Sequence, residues 1–205
     1  IEQCRRELES EGQDMADRVP LGIMIEVPAA AVIAHHLARE VDFFSVGTND
    51  LAQYTLAVDR GNPLVASLYA PLHPAMINLL SRISNAGQAE EIDVTMCGEM
   101  AGEALCLPVV LGLGYRTLSM NPSSIPLIKA MVRCLSVSAC EELVESLRDL
   151  PTTEEIEDIT RTALRGMILA TEVEPILESL FDDPSMMGEI DDESLLESDE
   201  EDGVD

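Results

Sequence analysis

Four short, almost uninterrupted apolar runs constrain this chain more than any other feature. They are LGIMIEV (21–27), VDFFSV (41–46), IDVTM (92–96) and YRTLSM (115–120). Runs of this length read as strands, and continuous apolar character predicts burial on both faces, as in a parallel sheet. Helical stretches separate them. PAAAVIAHHLARE (28–40) opens on Pro, and segments 74–89 and 103–113 follow in the same way. Strand alternating with helix points to an α/β architecture. Three more helical segments follow the fourth run. Ser138 with Glu141 and Thr152 with Glu155 have capping-box spacing, so helices are expected to start there. Four βα units do not close a barrel, and they lack the glycine fingerprint of a dinucleotide-binding sheet. The G-L-G at 112–114 follows a helix and reads as a turn.

Charge divides the chain in two. The formal net charge is −27 over 205 residues. The last 35 residues, 171–205, hold fifteen acids and no Lys or Arg. Residues 1–170 are expected to form the folded body and 171–205 a disordered acidic tail. A body this acidic is a poor nucleic-acid binder, because a duplex requires clustered Lys and Arg. An anionic substrate would need a metal ion or a focused arginine. No segment approaches the roughly 20 apolar residues of a membrane span, and residues 1–18 have no signal-peptide pattern. The chain opens on Ile1 rather than Met, so it is either processed or part of something longer. Five cysteines without C-x-x-C spacing argue against a zinc site or disulfide framework and fit a reducing cytosol.

Three strands end in polar residues. The first closes Ile25-Glu26-Val27-Pro28, the second runs into Gly47-Thr48-Asn49-Asp50, and the third into Cys97-Gly98-Glu99. A carboxylate behind apolar residues is costly unless it has a partner. In barrels, polar groups at the C-terminal ends of strands face the active site. Each residue also has a plain reading: Glu26 as a helix cap, Asn49-Asp50 as an ordinary turn, Cys97 as a small buried apolar residue. What favours chemistry is that all three occupy the same structural position.

Longer strings make the resemblance specific. SVGTNDLAQYTLAVDRGN (45–62), GIMIEVPAA (22–30), MCGEMAGE (96–103) and RTLSMNPSSIPLIK (116–129) resemble the enzyme I family of phosphoenolpyruvate–protein phosphotransferases. The resemblance covers roughly residues 20–135. It implies the C-terminal half, about strands five to eight, of a phosphoenolpyruvate/pyruvate-type (β/α)8 barrel. It implies Mg²⁺ held by Glu26 and Asp50, a pair that suffices because Mg²⁺ usually takes one or two carboxylates plus substrate oxygens. Asn49 and Asp50 resemble substrate-binding residues, and Arg60 resembles an arginine that grips the phosphoryl group, for which its planar fork is suited. Cys97 resembles the residue that protonates the enolate of pyruvate. An ordinary thiol is protonated at neutral pH and is therefore a loaded acid.

The implied activity is transfer of phosphate from phosphoenolpyruvate to a protein histidine, with release of pyruvate, and onward to a small histidine-bearing phosphocarrier protein. A cytoplasmic homodimer is implied, with no membrane or nucleic-acid partner. The family's phosphohistidine lies in a Gly-Gly-x-x-(Ser/Cys)-His context. That string is absent, and His35, His36 and His73 read as structural or surface residues. The two further phosphate-gripping arginines come from earlier barrel strands. Pyruvate phosphate dikinase and phosphoenolpyruvate synthase share the barrel and are alternatives, though YTLAVDRGN and the M-A-G after Glu99 look more like enzyme I. A truncated barrel serving as a dimerising or regulatory module is a non-enzymatic alternative.

Overall fold

A computed structural model describes residues 1–14, 16–168 and Thr171. The expected acidic tail therefore lies outside the described residues, Thr171 excepted. The chain opens with helix α1 (Glu2–Ser10) and enters strand β1 (Gly22–Ile25). Two short helices, α2 (Pro28–Val32) and α3 (Ala34–Leu37), lead to β2 (Phe43–Gly47) and directly into α4 (Thr48–Leu56). An irregular segment with a 3₁₀ turn at Ala66–Leu68 precedes α5 (Pro74–Ala89) and β3 (Asp93–Cys97). A second 3₁₀ turn, Glu99–Gly102, then α6 (Leu107–Gly112), lead to β4 (Thr117–Leu118). Helices α7 (Ile125–Cys134), α8 (Val137–Leu147) and α9 (Thr153–Ile168) complete the described chain.

The strands form one parallel sheet in the order β1-β2-β3-β4, as the strand–helix alternation predicts. Its register is even. Ile25 pairs with Val46, Val46 with Met96, and Met96 with Leu118. The sheet is open, with β1 and β4 at its edges.

Burial on both faces, expected from the apolar runs, is corrected by the structure. Ile25, Phe44, Val46 and Met96 are fully buried against Ala31, Leu51, Met76, Leu80, Ile83 and Val110 of the surrounding helices. The residues between them face the other way. Met24 is 50% and Phe43 36% exposed, and Ser45 and Thr95 are half-buried. A period of two was present all along. It was masked because Met24 and Phe43, on the open face, are themselves apolar.

Helix α5 shows how local sequence sets an element. Pro74 at its start has no N–H to leave unpaired, and His73 Nδ1 accepts the Ala75 N–H at 3.1 Å. Met76, Leu80 and Ile83 then recur on one face and are fully buried. Each such side chain contributes about 1.5–3 kcal/mol relative to exposure. His73 is thus a cap, while His35 and His36 stack on each other, exposed, with ring centroids 3.9 Å apart. Helix α6 begins four residues later than expected because Pro108 sits in its first turn, and the preceding residues form 3₁₀ and turn structure. Helix α8 starts one residue before Ser138. Its flanking Ser136 hydroxyl pairs with that of Ser138 at 2.9 Å instead of capping the backbone. The Thr152 cap is present, with the Glu155 N–H donating to Thr152 Oγ1 at 3.3 Å. Helices α7–α9 pack on α6 around a second core of Leu107, Leu111, Met131, Cys140 and Leu164.

Candidate functional site

The register brings the strand ends to one level. Because Ile25, Val46, Met96 and Leu118 stand side by side, so do the residues that follow them: Glu26, Gly47, Cys97 and Ser119. All four belong to the open face. A methyl group on Gly47 would lie 3.0 Å from Glu26 Cβ and 3.1 Å from its Oε2, so the Glu26 side chain lies directly over Gly47 and would have to shift to admit a larger residue there.

Asp50 sits one turn away, exposed in the first turn of α4, where the amide ends of the helix favour negative charge. Among the described residues neither Glu26 nor Asp50 makes a side-chain hydrogen bond or ion pair. Two unpaired carboxylates at one end of the sheet are hard oxygen donors of the kind Mg²⁺ takes. No cluster of three or more His, Cys, Asp or Glu suited to a metal occurs among the described residues. The remaining positions of an octahedral ion would fall to substrate and water oxygens, which is normal for Mg²⁺.

Cys97 is a free, half-buried thiol. Its carbonyl accepts from buried Thr48 Oγ1 at 2.8 Å, tying the end of β3 to the start of α4. Gly98 then turns the chain with φ +98°, and a Cβ there would meet Thr48 Oγ1 at 2.4 Å and Asn49 Oδ1 at 2.9 Å. That close approach lets the Glu99 N–H donate to Asn49 Oδ1 at 3.0 Å. Asn49 Nδ2 returns a bond to Glu99 Oε1 at 3.3 Å. Arg60 Nη1 reaches the same Oε1 at 2.8 Å.

An open groove of about 810 Å³ adjoins this network, lined by Asn49, Tyr69, Glu99, Glu103, Ser119 and Asn121 among others. Burial pushes the Tyr69 hydroxyl up to about 12, with the Glu99 charge adding to it. Burial also raises Glu103, outweighing the opposing hydrogen bond that Cys106 Sγ donates to its Oε2 at 3.3 Å.

Of the residues singled out from sequence, Asn49 and Arg60 meet through Glu99, and Asn49 lines the groove. Glu26 and Cys97 share a strand-end level, with Asp50 just beyond it. Glu26, Asp50, Arg60 and Cys97 do not line the groove. Sequence reasoning assigned no role to Thr48, Glu99 or Tyr69. The signal for Glu99 was its place directly after Cys97-Gly98 at a strand end.

Residues 1–137 match the family described as PEP-utilising enzyme, PEP-binding domain. The chain is 42% identical over 159 residues to the phosphoenolpyruvate-protein phosphotransferase of Haemophilus influenzae, covering 78% of this chain and 28% of that protein. It is 43% identical over 152 residues to the protein of the same name from Bacillus subtilis, covering 74% of this chain and 27% of that one. A protein named phosphoenolpyruvate-dependent phosphotransferase system from Escherichia coli is 42% identical over 152 residues, covering 71% of this chain and 20% of that protein. The chain thus spans about a quarter of the length of the curated relatives it matches. By the extent of the family match and by the strand-end motifs it includes, the chain belongs to the PEP-utilising enzymes, within their PEP-binding domain.

Proposed function

We propose that this chain is the C-terminal part of the phosphoenolpyruvate-binding barrel of a phosphoenolpyruvate–protein phosphotransferase, supplying about strands five to eight of a (β/α)8 barrel. The observation that carries the reading is the alignment of Glu26, Gly47 and Cys97 at one level of a parallel sheet, with Asp50 and Asn49 in the helix that follows. The open sheet with two free edges fits a barrel completed by strands outside this chain. The relatives, themselves phosphoenolpyruvate-protein phosphotransferases by name, favour this activity over the dikinase and synthase alternatives.

In the reaction, the bond between phosphorus and the enol oxygen of phosphoenolpyruvate breaks and a bond to an imidazole nitrogen of an acceptor histidine forms. The electron pair left on the enol oxygen makes the enolate of pyruvate. Arg60 faces the phosphoryl group with a planar set of donors. Asn49 offers its amide to the substrate while its position is fixed by Glu99. Cys97 delivers its thiol proton to C3 of the enolate, giving pyruvate and a thiolate that water reprotonates. Glu26 and Asp50 would hold Mg²⁺, which when bound neutralises charge on the substrate oxygens. The acceptor would pass the phosphoryl group to a small histidine-bearing carrier, and the complete enzyme would be a cytoplasmic homodimer.

Replacement of Glu26 or Asp50 by Ala in the full-length protein tests the reading. Each is expected to abolish Mg²⁺-dependent phosphoryl transfer, measured as pyruvate formed. Wild-type turnover in either variant refutes the assignment.

A further inference from the structure

We infer that Glu99 is a positioning residue that holds Arg60 and Asn49 in register for the phosphoryl group; this rests on the phosphotransfer reading above. Arg60 comes from an irregular stretch of chain. Helix α4 stops at Ala57, whose φ is +55°, and regular structure resumes only at the 3₁₀ turn of Ala66–Leu68. The segment between is largely exposed, with Leu64 at 90%. Left to itself, an arginine on such a segment would sample many orientations. Its one ion pair among the described residues runs to Glu99 Oε1.

The same oxygen accepts from Asn49, and the Glu99 backbone N–H fixes the other end of the Asn49 amide. One side chain therefore sets two substrate-facing groups that arrive from different elements. Glu99 itself is well placed to do this, because the Gly98 turn lies against Thr48 and Asn49 without room for a side chain. A carboxylate beside an incoming phosphate is repulsive and needs a reason to be there. The guanidinium has five N–H donors, and pairing with one Glu99 oxygen leaves most of the fork for phosphate. Both partners are exposed, Arg60 at 41% and Glu99 at 72% of the side chain, so the pair contributes little to stability. Its effect lies in alignment, where displacement of a gripping group by about 1 Å can cost on the order of a hundredfold in rate.

The test uses the full-length protein with Arg60→Ala, Glu99→Ala, the double variant and Glu99→Gln. Pyruvate formation, thermal unfolding and hydrogen exchange of segment 57–71 are measured for each. Glu99→Ala is expected to lower kcat/KM about 10- to 100-fold, to leave the unfolding midpoint in place, and to speed exchange in the segment. The double variant is expected to lose clearly less than the product of the two single losses, because the part of the Glu99 effect that runs through Arg60 is already gone and only the Asn49 part remains. Glu99→Gln retains Oε1 as an acceptor and is expected to recover most of the loss. Additive losses in the double variant, or wild-type kcat/KM in Glu99→Ala, overturn the inference. If Glu99→Ala loosens the segment but Arg60→Ala keeps wild-type turnover, the anchoring stands, while Arg60 as the phosphoryl grip, and with it the positioning role, is refuted.

Discussion

Substitution of Gly98 by Ala places a known strain at the junction of β3, α4 and the Glu99 turn. Two costs follow from the geometry. The backbone at Gly98, φ +98° and ψ −177°, belongs to a region that side-chain-bearing residues avoid at about 1–3 kcal/mol. The new methyl group would sit 2.4 Å from Thr48 Oγ1 and 2.9 Å from Asn49 Oδ1, so both side chains must move. Moving them breaks the bond from Thr48 to the Cys97 carbonyl and the bond from the Glu99 N–H to Asn49, each about 1 kcal/mol net. The sum is roughly 3–5 kcal/mol, a large share of the 5–15 kcal/mol by which domains are stable. Urea titration of the full-length protein reads it as a drop in the unfolding midpoint at unchanged slope. Thr48→Ala in the same chain removes the closest clash, so the double variant should cost clearly less than the two single losses added together. A Gly98→Ala cost below about 1 kcal/mol, or strict additivity with Thr48→Ala, would refute the argument that this glycine is required for close approach.

Cys97→Ala in the full-length protein should reduce proton incorporation into pyruvate from labelled water far more than it weakens phosphoenolpyruvate binding; equal losses in both would mark Cys97 as structural. Burial raises the Glu103 pKa above the ordinary 4.5, so the folded state holds that proton more tightly than the unfolded state does. The associated stability is fully present below 4.5 and is lost as pH rises through the raised value. Relative to Glu103→Gln, the wild-type melting temperature should therefore fall across that window, and parallel curves would contradict it. Tyr115→Phe removes a buried hydroxyl that donates to the Leu80 carbonyl at 2.9 Å. It should cost about 1 kcal/mol, read by denaturant unfolding, and no change would show that the carbonyl is served equally well within α5.

The strands and α5 were legible because their signals are local. Apolar runs bounded by turn residues located β1–β4 to within a few residues, and Pro74 marked the first residue of α5. Helix breaks were less legible. The stretch 28–40 reads as one helix, yet Ile33 leaves helical geometry at φ −101° and ψ +17°, and nothing in its neighbours explains the break. The fourth run promised six residues of strand, but only Thr117 and Leu118 pair with β3. Tyr115, at its start, is drawn into the core instead. In the site, the strand-end positions of Glu26 and Cys97 could be read directly, whereas Asn49, expected at the same strand-end position, lies in the first turn of α4. The role of Glu99 could not, because its partners lie 39 and 50 residues away and the pairing exists only once the sheet sets their spacing.

The even register of the sheet also limits how the chain can change in length. At about 3.3 Å per residue with alternate residues on opposite faces, one residue added within β1 would bring Ile25 over Gly47, and one removed would bring Val27 there; either change sends the carboxylate among the helices. Two residues would restore the face but move the carboxylate a full rung, about 6.6 Å, past its neighbours. Insertions and deletions are therefore confined to stretches that do not count rungs, such as the exposed residues 59–64. Even there the tolerance is partial, since Arg60 must still reach the end of β3. The strands act as a fixed ruler, and divergence among relatives should gather in the connections measured against it.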